Sequence, residues 1–424
     1  MQGERYDRVS VLSRRASEAT GRGQFEEAAS LWNQVIVLAP DHPRALLFLG
    51  QQSLHGGDSG SAQPFLERAA SIAPDDATIW LNLSFVFRAR GEMKAEMSAI
   101  QRALEADPYN FLALLGKAML LERQQRSRLA ARAFADALSV MPNEERLTSS
   151  VRAAVARARE CIHRNAGELD AFLQASLGEI RARYPSQRLT RFDECLGIAS
   201  GTKKLYLNQM TGLHFPQLPA IGFHDETHFE WLERLAAASD VIRDELVGLR
   251  GRSADEFSAY VRHPPGVPLN QWSELNFSPR WNAYFLWQDG VRDDAHCEQC
   301  PRTAALLEAL PMARIPGFAP TAFFSVLAPH TRIPAHMGVT NVRLITHLPL
   351  VTPPACGFRV GNEIRQWEAG RPFVFDDAIE HEAWNDSDQT RVVLIFDVWN
   401  IGLSAAEREL VCGLLKNMRA YYSE

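Results

Sequence analysis

The sequence predicts a two-part chain of mixed α and β structure, an α-helical solenoid followed by a β-rich domain. Three observations carry this expectation. Pro40, Pro74, Pro108 and Pro142 stand at intervals of 34 residues. In the last third the apolar residues change to a period of two, as in VRLITHLPL (342–350) and RVVLIFDVW (391–399). A chain of 424 residues, 46% apolar and 23% charged, has the length for two or three domains and the composition of an ordinary globular protein.

The prolines sit in the contexts VLAPDHP, SIAPDDA, EADPYNF and SVMPNEE. A 34-residue ruler is the tetratricopeptide period, one helix-turn-helix per repeat with proline near the end of the second helix. Leu49-Gly50 and Leu83-Ser84 fall in first helices, and Ala28/Trp32, Ala62/Leu66 and Ala130/Phe134 in second helices. The third repeat departs from the pattern, with Glu96 where a small residue is expected. Residues 1–148 are thus expected to form about four repeats, more than the roughly three that such a stack needs. The concave face of a solenoid commonly binds another polypeptide, so a peptide or protein partner is expected; the alternative is a scaffold that steadies or oligomerises the second half.

Residues 149–204 come next. SSVRAAVARARECIHRNAGELDAFLQASLGEIRARYP (149–185) reads as helix, broken near Asn165-Ala166-Gly167, that caps the solenoid. From Pro185 to about Lys204 a polar, turn-rich join is expected.

The C-terminal part carries the chemistry. His336 and His381 lie in HMGVTNVRLITHLPL (336–350) and FDDAIEHEAWNDSDQTRVVLIFDVW (375–399). A non-haem Fe(II) oxygenase uses two imidazoles, usually a carboxylate, and open positions at the metal. The carboxylate commonly follows the first histidine as H-x-D, but here the run is His336, Met337, Gly338. Asp376 and Asp377, just before the second histidine, read as turn or supporting residues rather than ligands. On strands, Arg343, Ile345 and His347 share one face, and so do Arg391, Val393, Ile395 and Asp397. An inward arginine needs an anion. For Arg391 that is either a small dicarboxylate held by a bidentate fork or a structural ion pair with a nearby acidic residue.

The stretch from about Leu205 to the C-terminus resembles the aspartyl/asparaginyl β-hydroxylase family. The resemblance runs through WNAYFLWQDG (281–290), PRTAALLEALP (301–311), FFSVLAPHTRIPAHMGVTNVRLITHLPL (323–350), CGFRVGNE (356–363) and WEAGRPFVFDDAIEHEAWN (367–385), and the H-x-G departure is itself a mark of that family. It implies a double-stranded β-helix (jelly-roll, cupin-like) domain over residues 205–424 and a dioxygenase using Fe(II), with 2-oxoglutarate and O2 as co-substrates. By position, His336 and His381 would be the iron ligands, with water completing the sphere. Arg391 would grip the distal carboxylate of 2-oxoglutarate with help from Ser325, His347 would contact its other end, and Arg343 would meet an acidic substrate group. Some members have a second arginine two residues before the equivalent of His347, where this chain has Ile345. The family's DVW-x-P ending is also altered, with Asn400, Ile401 and Gly402 after Trp399. The implied activity is hydroxylation of an unactivated C–H, the β-carbon of an Asp/Asn-type residue in a peptide or protein, with succinate and CO2 as co-products. The alternatives are the same chemistry on a lipid acyl chain or small metabolite, or a tetratricopeptide adaptor without turnover.

Several classes are disfavoured. A net charge of −6 gives no basic footprint for nucleic acid, and the arginines of RQQRSRLAARA (123–133) read as a solvated helix face. No run approaches the roughly 18 apolar residues of a membrane span, and MQGERYDRVSVLSRR lacks the apolar core of a signal peptide, so a cytoplasmic location is expected. Of six cysteines only Cys297 and Cys300 form a C-x-x-C, a weak zinc signal without a second pair, so reduced thiols in a loop, or a local disulfide under oxidation, are expected. His263 and His330 read as surface or hydrogen-bonded residues, and Trp287 as core.

Overall fold

The structure, a computed structural model, describes residues 2–187, 189–252 and 254–422. They form two compact units that divide between Thr202 and Lys203.

The first unit is helical. Its pairs are α1 (Gln2–Gly21) with α2 (Phe25–Leu38), α3 (Pro43–His55) with α4 (Ser59–Ile72), α5 (Ala77–Ala89) with α6 (Met93–Ala106), and α7 (Phe111–Arg123) with α8 (Ser127–Ser139). Each ruler proline falls two or three residues past the second helix of its pair, where the missing N–H costs no helical bond. The residue before each later first helix supplies a side-chain cap: His42 accepts from Ala45 N, Asp76 from Thr78 N and Asn110 from Ala113 N. Inside the pairs a second ruler appears. Gly23, Gly57 and Gly91 adopt positive φ at the turn, and Gln125 takes the same place at φ 60, the more strained choice for a residue with a Cβ.

Ala28, Trp32, Ala62, Leu66, Ala130 and Phe134 are buried, and a Cβ on Gly50 would come within 2.6 Å of Leu66. Glu96, the residue out of pattern, is buried and ion-paired with Arg123 at the end of α7, so a charge pair replaces the usual close helix contact.

α9 (Ser149–Ser176) buries Val155, Ala158 and Cys161 against Leu121 and Phe134 and so covers the last repeat. It does not break at Asn165-Ala166-Gly167. Gly167 has open space beside it, and a single interior glycine costs only about 1 kcal/mol relative to alanine, which a 28-residue helix anchored at its first half absorbs. The short α10 (Gly178–Arg181) follows, and the expected turn-rich join is also partly helical, with α11 (Thr190–Ser200) inside it. Buried Leu196 and the bond from Ser200 Oγ to Asp170 Oδ1 (3.0 Å) tie α11 to α9.

The second unit carries α12 (Trp231–Ala237) and α13 (Ser239–Arg252), then β1 (Ser258–Ala259), β2 (Trp281–Gln288) and β3 (Val291–Arg292). α14 (Asp294–Gln299) and α15 (Pro301–Glu308) precede β4 (Ala322–Leu327), β5 (Thr331–His336), β6 (Arg343–Val351), β7 (Cys356–Val360), β8 (Glu363–Gln366), β9 (Phe373–Phe375), β10 (His381–Asn385) and β11 (Arg391–Trp399), and α16 (Ala405–Tyr421) follows. One sheet has the order β1-β2-β4-β11-β6-β9 with β3 on β2; the other is β5-β10-β7-β8. All pairings are antiparallel.

The parity read from the sequence is realised. Leu344, Leu348, Val392, Leu394 and Phe396 face one way, packing with Leu235, Ile242, Leu246 and Leu307 of the covering helices. Ile345 and Val393 face the other way, into a second core shared with Phe358, Val360 and Ala383 of the smaller sheet. Two facing antiparallel sheets with side chains filling the space between them make a jelly-roll of the double-stranded β-helix kind.

Cys297 and Cys300 are free thiols, buried in and directly after α14 rather than in an exposed loop. Burial pushes their pKa up to about 11 and about 12, which makes them poor nucleophiles. Among the described residues, no helix is long and apolar enough to cross a membrane.

Candidate active site

His336 ends β5 and His381 begins β10, and the pairing of these strands sets the two residues directly opposite each other. Their ring centroids lie 4.0 Å apart. Each Nδ1 contacts a carbonyl two residues upstream, Pro334 O at 2.8 Å and Ile379 O at 3.0 Å. A carbonyl only accepts, so both Nδ1 atoms carry the proton and both Nε2 atoms keep a lone pair. Burial, then the neighbouring His381, pulls His336 down to about 3; burial pulls His381 down to about 4. The pair is neutral at pH 7. Two adjacent neutral imidazoles, each fixed in the Nε2-accepting tautomer by a backbone carbonyl, are suited to a divalent transition metal.

No group of three or more His, Cys, Asp or Glu side chains among the described residues could hold a metal. The reason is local. Gly338 donates its N–H to Asp377 O at 2.6 Å, and a Cβ on Gly338 would overlap the Asp377 carboxyl group. The space in which an H-x-D side chain would begin is therefore already filled. Asp377 is buried, with Oδ2 3.6 Å from Arg343 Nη2 and Oδ1 unpartnered. Asp376 makes the turn, its Oδ1 accepting from Ala378 N at 2.9 Å, and burial raises its pKa to about 7.

Arg391 begins β11 and is 1% exposed. Its Nε and Nη1 have no hydrogen-bond partner, and no ion pair reaches it among the described residues. Of the two readings open for this arginine, the structural ion pair thus finds no partner. Burial pulls its pKa down to about 10. His347 is also buried, with Nδ1 unpartnered; burial first and Arg391 second hold its pKa well below the ordinary imidazole value. On β4, Ser325 Oγ accepts from Trp281 Nε1 at 3.0 Å, which leaves the serine's own hydrogen to give. In register, Ser325 faces Val393, Arg391 faces Leu327 and His347 faces Ile395. Each buried unsatisfied polar group costs about 1–3 kcal/mol, and an anionic guest bonded to this set would remove that cost.

Arg343 is engaged by the chain itself. Its Nη1 is bonded to Asp397 Oδ1 and its Nη2 approaches Asp377. Asp397 is 2% exposed, and its other oxygen accepts from Thr321 N at 2.7 Å. Ile345, opposite Asp397 and Phe375, is apolar and 7% exposed. Two aspartates therefore face one arginine, and the neighbouring position adds no cation. Sequence reasoning did not assign Asp397 this role, although its shared parity with Arg391 on β11 was a usable signal. It also did not mark Trp272, whose ring meets that of His336 at 4.9 Å, or Trp367, which stacks on His347; nothing in their sequence context separates them from core aromatics.

Two facing antiparallel sheets with a histidine pair and a buried, unpartnered arginine on their strands define the class by fold, a cupin-like jelly-roll. The comparisons are narrower. Residues 237–401 match the family model described as Aspartyl/Asparaginyl beta-hydroxylase, and residues 14–77 and 56–111 match a tetratricopeptide-repeat model. The chain thus has a region similar to the aspartyl/asparaginyl β-hydroxylase domain after one similar to tetratricopeptide repeats. It is 26% identical over 425 residues to the Aspartyl/asparaginyl beta-hydroxylase of Mus musculus, covering 93% of this chain and 55% of that protein. It is 41% identical over 177 residues to the Ornithine lipid ester-linked acyl 2-hydroxylase of Rhizobium tropici, covering 41% of this chain and 59% of that protein. The chain thus spans little more than half the length of either relative, and both are named as hydroxylases. Among solved structures, MamA 41-end from Desulfovibrio magneticus RS-1 is similar over 31% of this chain and 75% of that chain, at 21% identity and a TM-score of 0.29.

Proposed function

We propose that the chain is an Fe(II)- and 2-oxoglutarate-dependent dioxygenase that hydroxylates the β-carbon of an Asp/Asn-type residue in a peptide or protein recruited by the solenoid. The observation that carries this reading is the buried Arg391 guanidinium without a partner, which lies over Trp367 in the core whose Phe358 and Phe375 also meet His381. The metal, when bound, would activate O2, the oxidant, with one oxygen atom going to succinate as 2-oxoglutarate loses CO2 and the other to the hydroxylated C–H.

The residues divide the remaining work. His336 and His381 would hold the metal through Nε2, each ring fixed by its carbonyl. Arg391 and Ser325 would hold the distal carboxylate of 2-oxoglutarate, the serine donating because Trp281 already occupies one of its lone pairs. His347 would meet the other end. The apolar walls, Ile345, Phe358 and Phe375 among them, exclude water from the reacting carbon.

A second reading is favoured by a specific observation. Arg343 is matched by Asp397 and Asp377, and Ile345 adds no charge, so neither of these two positions offers an unmatched cation to a substrate carboxylate. An amide or an acyl chain suits that environment better than an acid, and the Rhizobium relative is named for an acyl substrate. The test common to both readings is calorimetric titration of 2-oxoglutarate into the full chain loaded with Mn(II), alongside Fe(II)-dependent succinate release. Binding that is lost in His381→Ala supports the oxygenase. A folded protein that binds neither metal nor 2-oxoglutarate would return the chain to a non-catalytic adaptor.

A further inference from the structure

Trp367 lies between β8 and β9, outside any strand, and is 8% exposed. Its ring meets two of the groups assigned to the co-substrate. The Arg391 guanidinium carbon is 5.0 Å from the ring centroid, and the His347 ring stacks on it at 5.5 Å with an interplanar angle of 24°. Its own Nε1 is buried without a partner, like Arg391 Nε and Nη1 and His347 Nδ1.

We propose that Trp367 is a positioning residue for the co-substrate, its ring holding the Arg391 guanidinium and the His347 imidazole in one fixed arrangement. The inference rests on the oxygenase reading given above. Arginine is long and flexible, and one with no hydrogen bond and no ion pair has nothing polar to fix its head before the anion arrives. The indole face supplies that restraint, since a guanidinium over a buried aromatic ring is attracted by the ring quadrupole. Stacking on His347 ties the second contact to the same plate. With both groups held in advance, less conformational freedom is lost when 2-oxoglutarate binds. A role in core packing alone would require volume but no aromatic face, and that difference can be measured.

The experiment compares wild type, Trp367→Phe and Trp367→Leu as full-length chains loaded with Mn(II). Calorimetry reads the Kd for 2-oxoglutarate, a separate titration reads Mn(II) alone, and circular dichroism checks folding. Leucine keeps apolar bulk without a π face, and phenylalanine restores the face. The expected result is a loss of roughly tenfold to thirtyfold in 2-oxoglutarate affinity for Trp367→Leu, recovery to within about threefold for Trp367→Phe, and unchanged Mn(II) binding in both. Should Trp367→Leu not fold, Trp367→Met takes its place. Leucine or methionine binding 2-oxoglutarate as tightly as wild type, or phenylalanine binding as weakly as leucine, overturns the proposal while the oxygenase reading stands. If wild type itself fails to bind 2-oxoglutarate, the oxygenase reading fails and the role of Trp367 falls with it.

Discussion

Replacing Arg391 with methionine should move stability and binding in opposite directions. The guanidinium is buried, unpaired and 1% exposed, so without a guest the folded chain carries a charge its surroundings oppose. The depression of its pKa to about 10 corresponds to about 3 kcal/mol against the charged form. Methionine matches the length of the aliphatic stem and removes that penalty. Ligand-free Arg391→Met should therefore unfold at a higher temperature, about 2–4 °C for each kcal/mol recovered in a unit of this size. The same change deletes a charge-assisted fork worth about 1.5–3 kcal/mol, so the Kd for 2-oxoglutarate should rise by roughly ten- to 150-fold. Differential scanning calorimetry without ligand and titration calorimetry with it measure the two effects on one preparation. A variant that is less stable than wild type yet binds 2-oxoglutarate normally would refute the reasoning and make Arg391 a structural residue.

Three further outcomes are expected. His336→Ala or His381→Ala should abolish Fe(II)-dependent 2-oxoglutarate consumption with circular dichroism unchanged; undiminished consumption in either would remove that residue from the ligand pair. His224 is buried, both ring nitrogens lack partners, and burial, with His228 second, pulls its pKa down to about 4. Between an unfolded value near 6.5 and about 4 the unfolded chain binds the extra proton, so this group's contribution to stability is lost as pH falls through that window; His224→Phe should flatten the urea midpoint against pH there, and an unaltered slope would count against it. Asp397→Ala should cost about 3–5 kcal/mol in chemical denaturation, because it breaks a buried pair and leaves Arg343 with the more distant Asp377; a loss under 1 kcal/mol would mean that the pair contributes little.

What could be read from the sequence follows from how local each constraint is. The proline ruler survives because every repeat must turn at the same place, and the glycine ruler at 23, 57 and 91 was equally readable but for Gln125. Strand parity was legible because β6 and β11 are buried on both sides by different partners. The α9 break was misjudged because a lone glycine weighs less than the burial of Val155, Ala158 and Cys161 on the same helix. Within the candidate site, Arg391 was legible as a charge in an apolar strand, and the histidines through the segments that carry the family resemblance. The Asp377 contact with Gly338 was not, since it joins two loops 39 positions apart and a glycine gives no sign of what crowds it. The neutralisation of Arg343 was hidden similarly, as spacing placed Asp397 on the correct face but could not reveal the bond.

The filled space beside Gly338 limits how this centre can change. A metal site with two histidines and a carboxylate is, on paper, one codon away: a single replacement at position 338. In this fold that step displaces a buried group, because the new side chain would start inside the Asp377 carboxyl group, which would have to move. Removing Asp377 first would clear the space but take from Arg343 the more distant of its two counter-charges, leaving Asp397. Positions 338 and 377 are separate in the chain but share one space, so a side chain at the first is tied to what the second can give up.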